Sequence, residues 1–174
     1  MTVLSTARLD LAELTHDDAE FIFGLVNEPS WLANIGDRGV RTLDDARAYL
    51  TNGPMAMYAR HGYGLWRVAR RDDGAVVGIC GLLKRDTLPD ADIGFAFLPA
   101  YWGEGYAREA AEATLRYGFD TQRMPRIVAI VSPGNAASIR LLERLGFAFE
   151  RALTDPPYDG KTLLYAKQSG SASP

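Results

Sequence analysis

A mixed α/β sheet with local antiparallel meanders is the fold class that this sequence predicts, and three features carry the prediction. Short runs of alternating apolar and polar residues are interleaved with stretches whose apolar residues recur at helical spacing. Some of the runs are joined by turns too short for a crossover helix, such as Arg71-Asp72-Asp73-Gly74, so those neighbours are antiparallel. The chain is 174 residues long, the size of one domain at roughly 100–200 residues each. Residues 1–168 are expected to form that domain, with the tail SGSASP, residues 169–174, disordered.

In chain order, Ala7–Glu13 alternates as a strand through Leu9 and Leu11. Thr15 follows as an N-cap, with Asp17 and Asp18 favouring the positive end of a helix that runs to Asn27 and closes before Pro29. A glycine-punctuated loop, residues 29–41, leads to Thr42, which caps a second helix over Leu43–Thr51. Gly64–Arg70 and Ala75–Lys84 read as a hairpin, and Ala91–Leu98 as a third strand stopped by Pro99. Gly105–Phe119 is an alanine-rich helix whose small residues suit close packing on a sheet. Arg126–Val131 is a short β-branched strand, followed by a helix ending at Gly146. Two closing strands, Phe147–Arg151 and Lys161–Lys167, flank the turn DPPYDG.

Composition narrows the function. Apolar residues make up 47% and charged residues 24%, and 19 basic against 22 acidic side chains leave a net charge of −3. That balance argues against nucleic acid or a polybasic membrane anchor. The single cysteine, Cys80, cannot form an internal disulfide and reads as a small buried strand residue. With only two histidines besides, His16 and His61, both expected at the surface, no metal site is expected. The N-terminus lacks the unbroken apolar core of a signal peptide, and no run approaches the ~18 residues of a membrane span. A cytoplasmic location is the expectation.

The informative segment is residues 97–110, FLPAYWGEGYAREA, a strand, a glycine-rich turn and a helix start. Backbone N–H groups at a helix N-terminus bind anions, and Gly103 and Gly105 let the chain curl round a pyrophosphate. A dinucleotide fingerprint would need glycine where Arg108 stands. Gly160-Lys161-Thr162 ends like a nucleoside-triphosphate loop, but Asp155 replaces its leading glycine and no helix follows. An ordinary tight strand–helix connection is the plain alternative.

Trp102-Gly103-Glu104-Gly105-Tyr106-Ala107 resembles the pyrophosphate motif of the GNAT acyltransferases, Gln/Arg-x-x-Gly-x-Gly/Ala. Its leading Trp fits the branch that resembles ribosomal-protein N-terminal acetyltransferases. Residues 132–147, SPGNAASIRLLERLGF, fit that branch at Asn135, Ser138, Leu141, Gly146 and Phe147, as does the opening Thr6-x-Arg8-Leu9-x-Leu11. The resemblance implies an acyl-CoA N-acyltransferase fold with splayed central strands, and transfer of acetyl from acetyl-CoA to a primary amine by direct attack in a ternary complex. It implies that residues 103–107, Trp102 to Ala107 with their flanks, hold the pyrophosphate, and that the strand ending Phe97-Leu98 pairs the pantetheine arm.

For catalysis, the resemblance implies three residues. Asn135 is a helix N-cap that also touches pantetheine or substrate. The tyrosine that many members carry seven residues later is Leu142 here, so Ser138 stands in as the hydroxyl for the leaving sulfur. Asp92 takes the place of the usual glutamate base and would act through water, the alternative being a solvent-facing charge at a strand end. Acceptor contacts are implied for Trp31, Asp37 and Arg38, and for Tyr158 beside Asp155 and Asp159, where acids beside aromatics would suit a cationic amine. Trp31 could equally plug its loop onto the core. The acceptor is a small-molecule amine or a protein N-terminus, and the chain a monomer or homodimer. A CoA-binding regulatory module without activity is the competing reading.

Overall fold

The computed structural model describes residues 1–170 and builds one eight-stranded sheet in the order β1-β2-β3-β4-β5-β6-β8-β7. Its strands are β1 (Thr2–Ser5), β2 (Leu9–Glu13), β3 (Leu65–Arg70), β4 (Val76–Leu83), β5 (Asp92–Phe97), β6 (Arg126–Val131), β7 (Ala148–Leu153) and β8 (Thr162–Gln168). Every neighbouring pair is antiparallel except β5 and β6, which run parallel. The expected mixed sheet with meanders is therefore present. Most of the expected tail, residues 171–174, lies outside the described residues. Ser169 is tied down, its amide donating to the Pro125 carbonyl at 2.9 Å.

Helices cover both faces. On one, α1 (Ala19–Val26), α2 (Pro29–Asn34) and α3 (Leu43–Leu50) bury Ile22, Leu25, Trp31 and Leu50 against Leu65 and Ile79. On the other, α5 (Tyr106–Arg116) and α6 (Ala136–Arg144), which follow the short α4 (Ala56–His61), bury Ala110, Ala111, Leu115, Leu142 and Leu145. Their partners on the sheet are Leu9, Leu11, Trp66, Cys80 and Ile127. Leu65 and Trp66 on β3 thus serve opposite cores, as the period of two along a strand dictates. Ala110 and Ala111 are fully buried, which confirms the close approach that the small residues of α5 permit.

Both expected caps form. The Thr15 hydroxyl accepts from the Asp17 amide at 3.2 Å, and the Thr42 hydroxyl from the Asp45 amide at 3.0 Å. Three elements depart from the expectation. The strand β1 was not anticipated, since four residues carry too little alternation to register. The first helix closes before Pro29 as expected, but Pro29 then begins α2 where a loop was expected, at the first helical position, where its missing N–H leaves nothing unpaired. The helix expected to stop at Thr51 continues through a π turn, Thr51–Met55, into α4. Pro54 lies within that wider turn, where the proline ring escapes the clash it causes in a regular helix.

Cys80 is fully buried beside the Thr114 hydroxyl at 3.4 Å, and burial pushes its thiol up to about 12. His16 is exposed, and its Nε2 lies 2.7 Å from the Thr51 hydroxyl. His61 is half-buried and stacks on Tyr63. No described helix is long and apolar enough to cross a membrane.

Candidate functional site

The sheet opens between β5 and β6. Six residue pairs join β4 to β5, whereas β5 and β6 meet only at Asp92 and Val128, with the Val128 amide donating to the Ala91 carbonyl at 3.0 Å. Beyond that point the two strands part and leave a cleft of about 1560 Å³. It is lined by β5, the Trp102–Arg108 turn, the start of α6 and, at the far end, α2, α3 and the β7–β8 loop.

Ladder parity decides which backbone groups of β5 face this cleft. The Leu98 amide donates to the Val77 carbonyl at 2.9 Å. Hydrogen-bonded pairs alternate along an antiparallel ladder, so Ala96 and Gly94 also turn their backbone groups toward β4. Phe95 and Phe97 turn theirs toward the opening, and both line the cleft. Leu98 does not line it. The exposed edge is therefore Phe95 and Phe97 rather than the Phe97 and Leu98 that the sequence suggested. The Phe97 carbonyl is already held by the Trp102 indole N–H at 2.9 Å, which leaves the Phe97 amide free to donate.

The glycine turn has the geometry expected of an anion cradle. Gly103 and Gly105 both have positive φ, +81° and +80°, a backbone that side-chain-bearing residues rarely adopt. A Cβ on Gly103 would meet nothing within 4 Å, so the turn is open on that side. Gly105 is the N-cap of α5, an 11-residue helix whose first amides have no partner within it. Gly103, Gly105, Tyr106 and Ala107 line the cleft beside the half-exposed Trp102. Glu104 does not, because its carbonyl faces away and accepts from Arg8 Nη1 at 2.8 Å.

Asn135 and Ser138 reach the cleft from α6. The Asn135 side chain accepts from the Ser138 amide at 3.3 Å, the cap expected of it. Asn135→Ala should cost about 1 kcal/mol, lowering the melting temperature by about 2–4 °C for a chain of this size. An unchanged midpoint would show that the cap contributes nothing. Leu142, at the position of the missing tyrosine, is buried in the main core.

Asp92 is not the solvent-facing strand-end charge that the sequence left open. It is 1% exposed, at the point where the strands part, and both carboxylate oxygens accept from Arg85 Nε at 3.1 and 3.2 Å. Burial raises its carboxyl to about 6, against the lowering effects of the Arg85 charge, the Arg85 hydrogen bond and the nearby Lys84. The group is mostly ionised at pH 7 and can take up a proton just below it.

The far end of the cleft gathers some of the expected acceptor residues. Trp31, Arg38 and Tyr158 line it, with Asn34, Tyr49 and Thr87, which the sequence did not single out. The Tyr158 hydroxyl lies 2.9 Å from that of Thr87, which ties the β7–β8 loop to the β4–β5 loop. Trp31 is 4% exposed and packs into the α1–α3 core, so it does plug its loop. Asp37 lies outside the cleft, bonded to Arg41 and to the Gly39 amide. Asp155 and Asp159 are outside it as well, and Lys161 stands 3.8 Å from Asp159. The carboxylates that line the cleft are Asp86 and Asp92, the latter bonded to Arg85, and Arg38 lines it as well. The expected cluster of acids is therefore not assembled there.

The chain is similar to proteins of known family and fold. Residues 8–148 match the family model of the acetyltransferase (GNAT) domain. The uncharacterized N-acetyltransferase YoaA of Bacillus subtilis (strain 168) is 29% identical over 161 residues, 92% of this chain and 90% of that protein. The crystal structure of an acetyltransferase from Agrobacterium tumefaciens str. C58 superimposes with a TM-score of 0.82 at 26% identity, covering 97% of this chain and 95% of the other. RimL, a ribosomal L7/L12 alpha-N-protein acetyltransferase solved in complex with coenzyme A, shares the fold with a TM-score of 0.81 over 97% of this chain and 98% of its own, at 17% identity.

Proposed function

Since the chain belongs to the GNAT family of acetyltransferases, and is thus an acetyl-CoA-dependent acyltransferase, we propose that it moves the acetyl group of acetyl-CoA to a primary amine by direct attack in a ternary complex. The observation that carries this reading is the continuity of one cleft. An anion cradle at Gly103–Ala107, an unpaired strand edge at Phe95 and Phe97, and a buried carboxylate at Asp92 follow one another along it. Those are the parts that a pyrophosphate, a peptide-like pantetheine arm and an attacking amine require, in the order in which the substrate presents them.

The backbone amides at the start of α5 bind the pyrophosphate, helped by the helix dipole. The pantetheine amides pair with the β5 edge as an added strand would. A free amide on that edge polarises the thioester carbonyl, and the oxyanion forms where the donor is already aimed. The amine nitrogen attacks the carbonyl carbon, its proton leaves through water to Asp92, and the C–S bond breaks. The departing sulfur, an easy leaving group with a thiol pKa near ~8.5, takes a hydrogen bond or a proton near Ser138. Asn135 holds the first turn of α6, and so Ser138, against the cleft. Trp31, Arg38 and Tyr158 bound the acceptor, with Asp37 bracing the loop that carries Arg38 through Arg41 and the Gly39 amide.

On this reading residues 1–168 act as one domain in the cytoplasm, as a monomer or homodimer, on a small-molecule amine or a protein N-terminus and without nucleic acid, membrane or metal. The buried, unreactive Cys80 and the net charge of −3 support it. The test is acetyl transfer across a panel of amines, followed by thiol release and product mass. Tight CoA binding with no turnover on any amine would favour the binding-module reading, which Leu142 in place of a tyrosine encourages.

Ser138→Ala should lower kcat about 10–100-fold, the low end of acid–base contributions, with little change in CoA affinity. A wild-type kcat in that variant would leave solvent as the acid.

A further inference from the structure

Building on the CoA reading above, we infer that Arg8 is the residue that sets the pyrophosphate loop, a positioning residue for CoA that acts from outside the cleft. Arg8 lies 96 positions before Glu104 in the chain, yet its side chain reaches across to the loop and grips it at three points. Nη1 donates to the Glu104 carbonyl at 2.8 Å, Nε donates to Glu109 Oε2 at 2.7 Å, and the guanidinium stacks 4.6 Å over the Tyr106 ring. A Cβ on Gly105 would stand 3.4 Å from Nη2. The hydroxyl of Thr6 at 2.6 Å and the amide of Arg8 at 2.9 Å complete the hold on Glu109 Oε1. Leu9, fully buried in the core, anchors the segment. The conspicuous Thr6-x-Arg8-Leu9 opening of the sequence is thus one device: an anchor and two donors that clamp the start of α5.

Two consequences follow for an anion in the loop. In a trans peptide the carbonyl and the next N–H point in opposite directions. By holding the Glu104 carbonyl on its own side, Arg8 turns the Gly105 amide to the other side, that of the cleft, which Gly105 lines and neither Arg8 nor Glu104 does. The second consequence is electrostatic. Glu109 sits in the first turn of α5, where its negative charge favours the helix dipole but opposes a bound pyrophosphate. Burial pushes its carboxyl up, but the bonds from Thr6 and from the Arg8 amide and side chain outweigh this and hold it below the usual carboxylate range. Glu109 is therefore ionised, and the Arg8 guanidinium neutralises it. The anion meets the amides and the dipole without the acid's repulsion.

The proposal is tested by calorimetric titration of the intact protein with CoA and with pantetheine, which lacks the pyrophosphate. Arg8→Ala is expected to weaken CoA binding about 10–100-fold, in line with loss of a charge-assisted pair and exposure of a like charge, while pantetheine affinity stays within twofold. Arg8→Lys keeps the charge but not the fork that reaches Glu104 and Glu109 together, so its loss should be intermediate. Adding Glu109→Gln to Arg8→Ala should recover part of the CoA affinity, because the uncompensated acid is gone. Thermal melts of each variant identify any that fail to fold, and Arg8→Lys carries the test if Arg8→Ala is one of them. CoA affinity unchanged in both Arg8 variants, or equal losses for CoA and pantetheine, would overturn the role. Wild-type protein that binds no CoA would overturn the reading of the whole site.

Discussion

Gly105→Val is expected to weaken CoA binding on the order of 100-fold, read by calorimetry. Gly105 caps α5 at φ +80°, where a β-branched residue is strained by about 1–3 kcal/mol. The new Cβ would also stand 3.4 Å from Arg8 Nη2, and its two methyls would push the guanidinium off the Glu104 carbonyl. The chain relieves the backbone strain by turning the peptide that presents the Gly105 amide, which is the group the pyrophosphate needs. Trp102→Ala should do less, a loss of several-fold, because that side chain is 56% exposed and holds the loop through one bond to the Phe97 carbonyl. Equal CoA affinity in wild type and Gly105→Val would reduce the loop to a connector.

Asp92→Asn should stabilise the protein and disable it at once. The folded chain holds the Asp92 carboxyl at about 6, above the ~4 of an unfolded aspartate. The fold therefore favours the protonated form. Stability from this group is full below about pH 4 and is lost as pH rises through about 6. At pH 7 the buried charge costs the fold on the order of 2–3 kcal/mol, a cost that the neutral asparagine avoids. Asp92→Asn should melt several degrees higher at pH 7, with the difference vanishing near pH 4.

The same variant should lose about 100-fold or more in amine acetylation. The wild-type rate should fall as pH drops through about 6 and the carboxylate takes a proton. Asp92→Asn should lack that limb and show its remaining profile displaced to higher pH, where solvent base frees the amine. A variant with wild-type activity would remove Asp92 from the chemistry and leave it as a partner of Arg85, and one less stable at pH 7 would show that the bond to Arg85 outweighs the cost of burial.

The parts of this protein written in local chemistry were legible in the sequence. Thr15 and Thr42 cap their helices because a threonine followed three residues later by aspartate closes a reciprocal pair of bonds whatever lies elsewhere. Gly103 and Gly105 mark a turn that needs positive φ, and the alanines of α5 mark a helix pressed on a sheet. Local pattern failed where packing overrode it: a further helix opens at Pro29 inside the expected loop, and the helix expected to stop at Thr51 runs on through the π turn that holds Pro54.

The cleft itself depends on contacts between distant residues. Which amides of β5 face the opening follows from register against β4, so Phe95 could not be chosen over Leu98 from the strand alone. Asp92 read as a possible surface charge, but it lies where β5 still meets β6 and is buried there beside Arg85. The acids Asp37, Asp155 and Asp159 looked like an acceptor cluster, but loop conformation sent them elsewhere, and Arg38 and Arg85 stand at that end of the cleft. Arg8 was visible as part of a motif and had no role until the fold set it against Glu104 and Glu109. The sequence by itself determined most of the elements, the two threonine caps and the glycine turn, because those depend on interactions within a few residues. The tertiary structure alone decided which edge is free, which carboxylate is desolvated and which guanidinium holds the loop, because solvation and hydrogen-bond partners are properties of what the distant chain brings alongside.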